Sequence, residues 1–182
     1  MPRLTPPKPE TMSAAQRAVH DDVTARRGRV PAPTALWLTS PELARRAERL
    51  GEFARYQTSL PKRLSELAIL VTARHWTSHY EWHAHKKEAL AAGLDPAIVE
   101  AIRTRREPRF AADEERTVYR FAKSLHEGHQ VDEALYDAAA AALGDQGLVE
   151  LVGILGYYTL VSMTLNVFEV KLPEGAATEL EP

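Results

Sequence analysis

Two stretches of this chain are apolar almost all the way around a helix, and they dictate its architecture. Between Leu64 and Ala73 the residues Leu64, Leu67, Ala68, Ile69, Leu70, Val71 and Ala73 cover most of the circumference, and the run from Leu148 to about Val170 does the same. A helix that is apolar on every side must be sheathed by others. The remaining segments supply the sheath. Ser40-Pro41-Glu42 starts a helix with a hydroxyl at N-cap, Pro at N1 and an acid in the first turn. It should run to about Tyr56, with Leu43, Ala47, Leu50 and Ala54 inward and Arg45, Arg46, Glu48 and Glu52 mostly outward. Pro61 opens the first central helix. Ser78-His79-Tyr80-Glu81 has the S-x-x-E form of a capping box, so the chain should break near Trp76-Thr77 and restart at Ser78, running to Gly93. Asp95-Pro96, Asp113 and Asp132 open three more helices; Gly144 closes the third of these, and Pro173 stops the second central helix. A weaker pattern, Ala14, Ala18 and Val19, leads to the basic turn Arg26-Arg27 and a cap at Gly28.

Only Val30 to Leu38 resists a helical reading. Pro31 and Pro33 argue against a regular helix while Leu36, Trp37 and Leu38 demand burial, so a buried extended segment bordering a pocket is expected. No long period-2 alternation, Asn-Gly hairpin signal or internal repeat appears. The expected fold is all-α, a bundle of seven or eight helices with two of them buried. A proline-rich segment, 1–12, with four prolines in its first ten residues, should precede one domain over 13–175, with a short tail over 176–182.

Composition removes whole classes of chemistry. The 182 residues include no cysteine, which excludes disulfides, Cys-ligated metals, thiolate nucleophiles and redox dithiols. A formal net charge of -2 provides no global attraction to nucleic acid or to an anionic membrane. No signal-peptide run opens the chain, and a cytoplasmic location is expected. Neither GxGxxG nor a P-loop is present, and no cofactor is expected.

The chemistry-bearing residues gather within twenty positions: Glu66, Arg74, His75, His79, Tyr80, Glu81, His83 and His85. Glu66 lies inside the more apolar helix, where a carboxylate is expensive unless paired. Either a structural ion pair or a functional role meets that requirement. Glu66, Tyr80, Glu81 and His85 form a possible acid/base set if the two helices pack antiparallel, as a two- to three-residue connection favours. His75, His79 and His83 are spaced i, i+4, i+8, but the break at Ser78 removes His75 and leaves His79 and His83 as a weak metal-binding alternative. Arg103, Arg105, Arg106 and Arg109 form a basic cluster whose default role is a solvated face.

These same residues carry a family resemblance. Glu66-Leu67-Ala68-Ile69-Leu70, Ala73-Arg74-His75-Trp76-Thr77-Ser78-His79-Tyr80-Glu81-Trp82, His85 and Ala91-Ala92-Gly93-Leu94-Asp95 resemble the carboxymuconolactone decarboxylase/alkyl hydroperoxidase D (AhpD-like) family. Gly156 to Glu169 resembles the close of its longer members, and the likeness spans about residues 12–175. The family pattern of Glu, Cys, Cys and His falls on Glu66, Ser78, Glu81 and His85, so both relay ends are kept and both thiols are replaced. Neither replacement can be oxidised reversibly to a disulfide, and thiol-dependent peroxidase chemistry is excluded.

The resemblance implies an AhpD-like helical bundle that forms homo-oligomers. It also implies decarboxylase-type, cofactor-free acid/base chemistry on a small carboxylated, possibly lactone-type substrate from aromatic catabolism. On that reading Glu66, His85, Glu81 and Tyr80 are the catalytic candidates, and Arg74, Ser78, Trp82 and Asn166 the substrate-binding ones. Arg74 would hold a carboxylate bidentately, unless it pairs with Glu66 or another acid. A non-catalytic oligomer that has kept the fold, or a His-rich metal-binding variant, is the alternative.

Overall fold

The computed structural model describes residues 3–181. Among these, eight α-helices and no strand occur: α1 Ala14–Arg27, α2 Ala32–Trp37, α3 Pro41–Tyr56, α4 Lys62–His75, α5 His79–Ala91, α6 Pro96–Arg103, α7 Asp113–Gly128 and α8 Glu133–Val167, preceded by a 3-10 turn at Pro9–Thr11. The two apolar helices sit at the centre as their sequence requires. α4 buries every residue from Leu64 to Arg74, against α5, α7 and α8, while α8 also packs on α3. By length and composition α8 is apolar enough to cross a membrane, yet most of its apolar stretch is buried inside the bundle. Its two halves meet at Gly144, whose φ of 69° and ψ of 171° leave helical space, so the helix stop read from this glycine appears as a kink between two segments.

Local signals place the other boundaries. Ser13 and Gln16 form a reciprocal capping box at α1, Gly28 closes it in the left-handed conformation, and the Asp95 and Asp132 side chains cap α6 and α8. α2 overturns the extended segment expected at 30–38. Pro31 is its N-cap and Pro33 lies in the first turn, where a missing N–H costs nothing, so the prolines begin a helix instead of forbidding one.

α3 is rotated from its expected orientation. Its buried stripe is Ala44, Ala47, Glu48, Gly51 and Ala54, whereas Leu43 and Leu50 are 43% and 46% exposed. Small residues let its backbone approach α8 closely. Glu48, expected outside, is fully buried and accepts hydrogen bonds from Thr34 Oγ1 at 2.5 Å and Arg27 Nη1 at 2.7 Å, tying α1, α2 and α3 together. The termini lie on the bundle. Arg3 pairs with Glu169 at 2.6 Å, and in the tail Glu179 accepts from Lys86 while Leu180 is buried.

Candidate functional site

The chain turns sharply between the two helices that carry the chemistry. α4 ends at His75, Thr77 takes a positive φ of 45°, and the Ser78 N–H closes the turn on Ala73 O at 2.8 Å. α5 then returns antiparallel along α4, which brings His85 back beside Glu66. The break falls where the capping-box pattern puts it, but the box itself does not form. Ser78 Oγ is buried without a hydrogen-bond partner among the described residues, and the Glu81 carboxylate turns away from the helix start toward His85.

Both imidazole nitrogens of His85 meet carboxylates. Nδ1 lies 2.7 Å from Glu66 Oε2 and Nε2 lies 2.9 Å from Glu81 Oε1, and all three residues are buried. Only the imidazolium donates from both nitrogens. Burial alone would lower the His85 pKa, but the Glu81 charge and the hydrogen bonds to both carboxylates outweigh it and raise the value to about 9. The site at neutral pH is therefore a hydrogen-bonded carboxylate–imidazolium–carboxylate row. The Tyr158 ring closes over it, edge-to-face with the imidazole at a centroid distance of 4.9 Å.

One end of this row opens on a cavity of ≈ 220 Å³. Glu81 and His85 line it, Glu66 lies behind, and Arg55, Tyr157, Tyr158 and the α1–α2 segment complete its lining. Tyr157 stands edge-to-face to Tyr158 at 5.2 Å and to Trp37 at 6.3 Å. Burial raises the pKa of both phenols, keeping them protonated and able to donate. Tyr80 and His83 also line the cavity.

The other site candidates lie elsewhere. Arg74 neither faces this cavity nor pairs with Glu66. It donates to Arg103 O at 3.0 Å, Thr77 Oγ1 at 3.1 Å and Glu181 O at 2.7 Å, beside a second cavity of ≈ 110 Å³ that His75 and Arg105 also line. Trp82 is buried on the side of α5 that meets the tail, its Nε1 donating to Glu179 at 3.4 Å. Ser78 is a buried helix start, and Asn166 donates to Trp76 O at 2.7 Å, a bond that ties the end of α8 to the α4–α5 turn. His75 leaves the histidine row and stacks on His126 at 4.8 Å. His79 and His83 stay one turn apart on α5; among the described residues no group of three His, Cys, Asp or Glu is placed to hold a metal ion. Arg55, Arg27 and Tyr157 were not visible as site residues in the sequence. Their placement depends on how closely α3 and α8 approach, and the one available signal was Gly51 one turn before Arg55 on a helix otherwise free of glycine.

Comparison with known proteins agrees with the all-α fold. Residues 41–124 match the model of the carboxymuconolactone decarboxylase family. No curated protein matches the chain. Among solved structures it is similar to the alkylhydroperoxidase AhpD core of an uncharacterized peroxidase-related protein from Ralstonia eutropha JMP134, at 17% identity and a TM-score of 0.76, covering 95% of this chain and 93% of that one. A peroxidase-related protein from Silicibacter sp. TM1040 gives 15% identity and a TM-score of 0.75, covering 95% and 92%. The debrominase Bmp8, in complex with 2,3,4-tribromopyrrole, gives 14% and 0.74, covering 96% and 95%. At these identities the likeness establishes a common fold. Residues 41–124 thus resemble the carboxymuconolactone decarboxylase family, and the chain as a whole shares the AhpD-like helical fold.

Proposed function

We propose that this chain is a small-molecule enzyme performing cofactor-free acid/base chemistry on a carboxylated, conjugated substrate of the lactone-acid type. The observation that carries the reading is the Glu66–His85–Glu81 row, with Glu81 at the cavity and Glu66 behind it. Two buried acids flanking one imidazolium form a proton store with an exit at one end. In the decarboxylation, the bond from the ring carbon to the carboxylate breaks, CO₂ leaves, and the electron pair is held by the substrate's own unsaturation as a dienolate. The His85–Glu81 pair then delivers a proton to the dienolate carbon, and solvent restores it. Isomerisation uses the same row, with Glu81 removing a proton from one carbon and returning it to another.

The peroxidase name of two structural neighbours does not transfer, because this chain has no thiol for a peroxidase cycle. Assembly of two or more copies belongs to the same proposal. Leu50, Phe53, Val149 and Val152 form an exposed apolar face on α3 and α8 that a second copy would cover.

The test is incubation of the purified protein with carboxymuconolactone and related conjugated lactone acids in D₂O, following CO₂ release and deuterium incorporation. Wild type should turn over at least one of them, and Glu81→Gln should lose about 100-fold or more. Dithiol-dependent peroxide consumption should stay at background. Absence of both CO₂ release and deuterium exchange across the set, or equal rates in Glu81→Gln, contradicts the reading.

A further inference from the structure

The cavity that Glu81 and His85 line carries unused hydrogen-bonding capacity. Arg55 Nε is buried and finds no acceptor among the described residues. The nearest carboxylate to its guanidinium is Glu88, whose Oε1 lies 3.7 Å from Nη2 and whose Oε2 is already held by Lys62 at 2.9 Å. A buried guanidinium N–H without an acceptor is costly, and such a group usually awaits a partner from outside the protein.

Gly51 lies one turn earlier on the same face of α3. A Cβ built there would collide with the hydroxyl and Cζ of Tyr157, so this glycine makes the notch in which the Tyr157 phenol sits. The hydroxyl of Tyr157 makes no hydrogen bond to the described residues, and its ring is fixed between Trp37 and Tyr158. Two donors, one cationic and one neutral, are thus set a helical turn apart on one wall, and Arg55 is close enough for its charge to act on both Tyr157 and Tyr158. Arg27, by contrast, has its guanidinium committed to Glu48.

We propose that Arg55 and the Tyr157 hydroxyl form the oxyanion-holding pair that fixes a substrate carboxylate in the cavity that Glu81 and His85 line. The assignment rests on the acid/base reading above and transfers the anchoring role first given to Arg74. An anion held by these donors shares the cavity with Glu81 and His85, within which the rest of the substrate is placed. Arg supplies two parallel N–H donors to such a carboxylate, and Tyr adds a third donor without adding charge.

The test uses trans,trans-muconate, a conjugated dicarboxylate, and its dimethyl ester as probes, with binding followed by calorimetry and by imidazole NMR shifts of His85. Wild type should bind muconate and shift His85, with the ester at least about tenfold weaker. Arg55→Gln should weaken muconate by about tenfold or more and Tyr157→Phe by several-fold, with little change for the ester. Arg55→Lys, which keeps the charge but not the fork, should fall between Gln and wild type. Arg45→Gln, on the exposed face of α3, is the control and should bind as wild type. Circular dichroism checks that each variant is folded.

The assignment is overturned if muconate fails to bind wild type, if Arg55→Gln and Arg55→Lys both bind it unchanged, or if the ester binds as tightly as the acid. Arg55-dependent binding without turnover or deuterium exchange would leave the anchor standing and remove the acid/base reading.

Discussion

Glu66 and His85 make opposite contributions to the same buried row, and single substitutions separate them. Two carboxylates around one imidazolium leave an excess negative charge in a site from which water is nearly excluded. Glu66→Gln removes that excess while its amide oxygen still accepts from Nδ1. At pH 7 its melting temperature should equal or exceed that of wild type, at the expense of activity. His85→Gln removes the cation and leaves two buried carboxylates facing one another, which should cost about 3–5 kcal/mol. Thermal melts of the two variants beside wild type check the pair. A large loss in Glu66→Gln with oligomeric state retained would mark Glu66 as a structural acid. That Glu66 and His85 would meet was legible in the sequence, because an acid inside an all-round apolar helix needs a partner and a short turn returns the next helix beside it. The long-range partners of Arg74 were not legible, since beside the nearby Thr77 hydroxyl its acceptors are main-chain carbonyls of α6 and the tail, which leave no side-chain signature.

At the scale of elements, the approach of α3 to α8 builds the cavity, and Gly51 sets that approach. Alanine in a helix interior gains up to about 1 kcal/mol over glycine. Here its Cβ must displace the phenol of Tyr157, packed between two aromatic rings, an overpacking cost of about 1–3 kcal/mol. Gly51→Ala should therefore be destabilised by about 1 kcal/mol net and should lose muconate binding, as denaturant melts and calorimetry would show. An unchanged or raised stability with binding intact would mean that Tyr157 is not held by that notch. The α3 boundaries followed directly from Ser40-Pro41-Glu42, yet its buried face did not. Leu43 and Leu50 look like core residues by hydrophobicity alone, but close packing on α8 selects the small residues one position away. Likewise the prolines of α2 look like breakers in sequence, because their position relative to the helix start, where they are tolerated, depends on where the chain turns.

The whole molecule presents an apolar face and a pH-sensitive core. On the face, Val149 is 72% exposed and Val152 47%, beside Leu50 and Phe53. Light scattering should find more than one copy per particle, and Val149→Lys should shift the particle to a single copy without unfolding it; a monomeric wild type contradicts the proposed assembly. In the core, two histidines bound the stable range from opposite sides. His85 has a folded value near 9 against an ordinary 6.5, so its stabilisation is complete below about pH 6.5 and is lost as pH rises through 9. His126 is the reverse. Burial first, and then neighbouring His75, push its value down to about 4, so its contribution holds above 6.5 and disappears as pH falls toward 4. The measurement that bears most directly on the central claim is the nitrogen-detected NMR titration of the His85 imidazole in the intact protein. Both nitrogens should report a protonated ring at pH 7 that titrates near pH 9, with the value falling toward 6.5 in Glu81→Gln. A neutral His85 ring at pH 7, or a titration unmoved by Glu81→Gln, would contradict the proton row on which the proposed function stands.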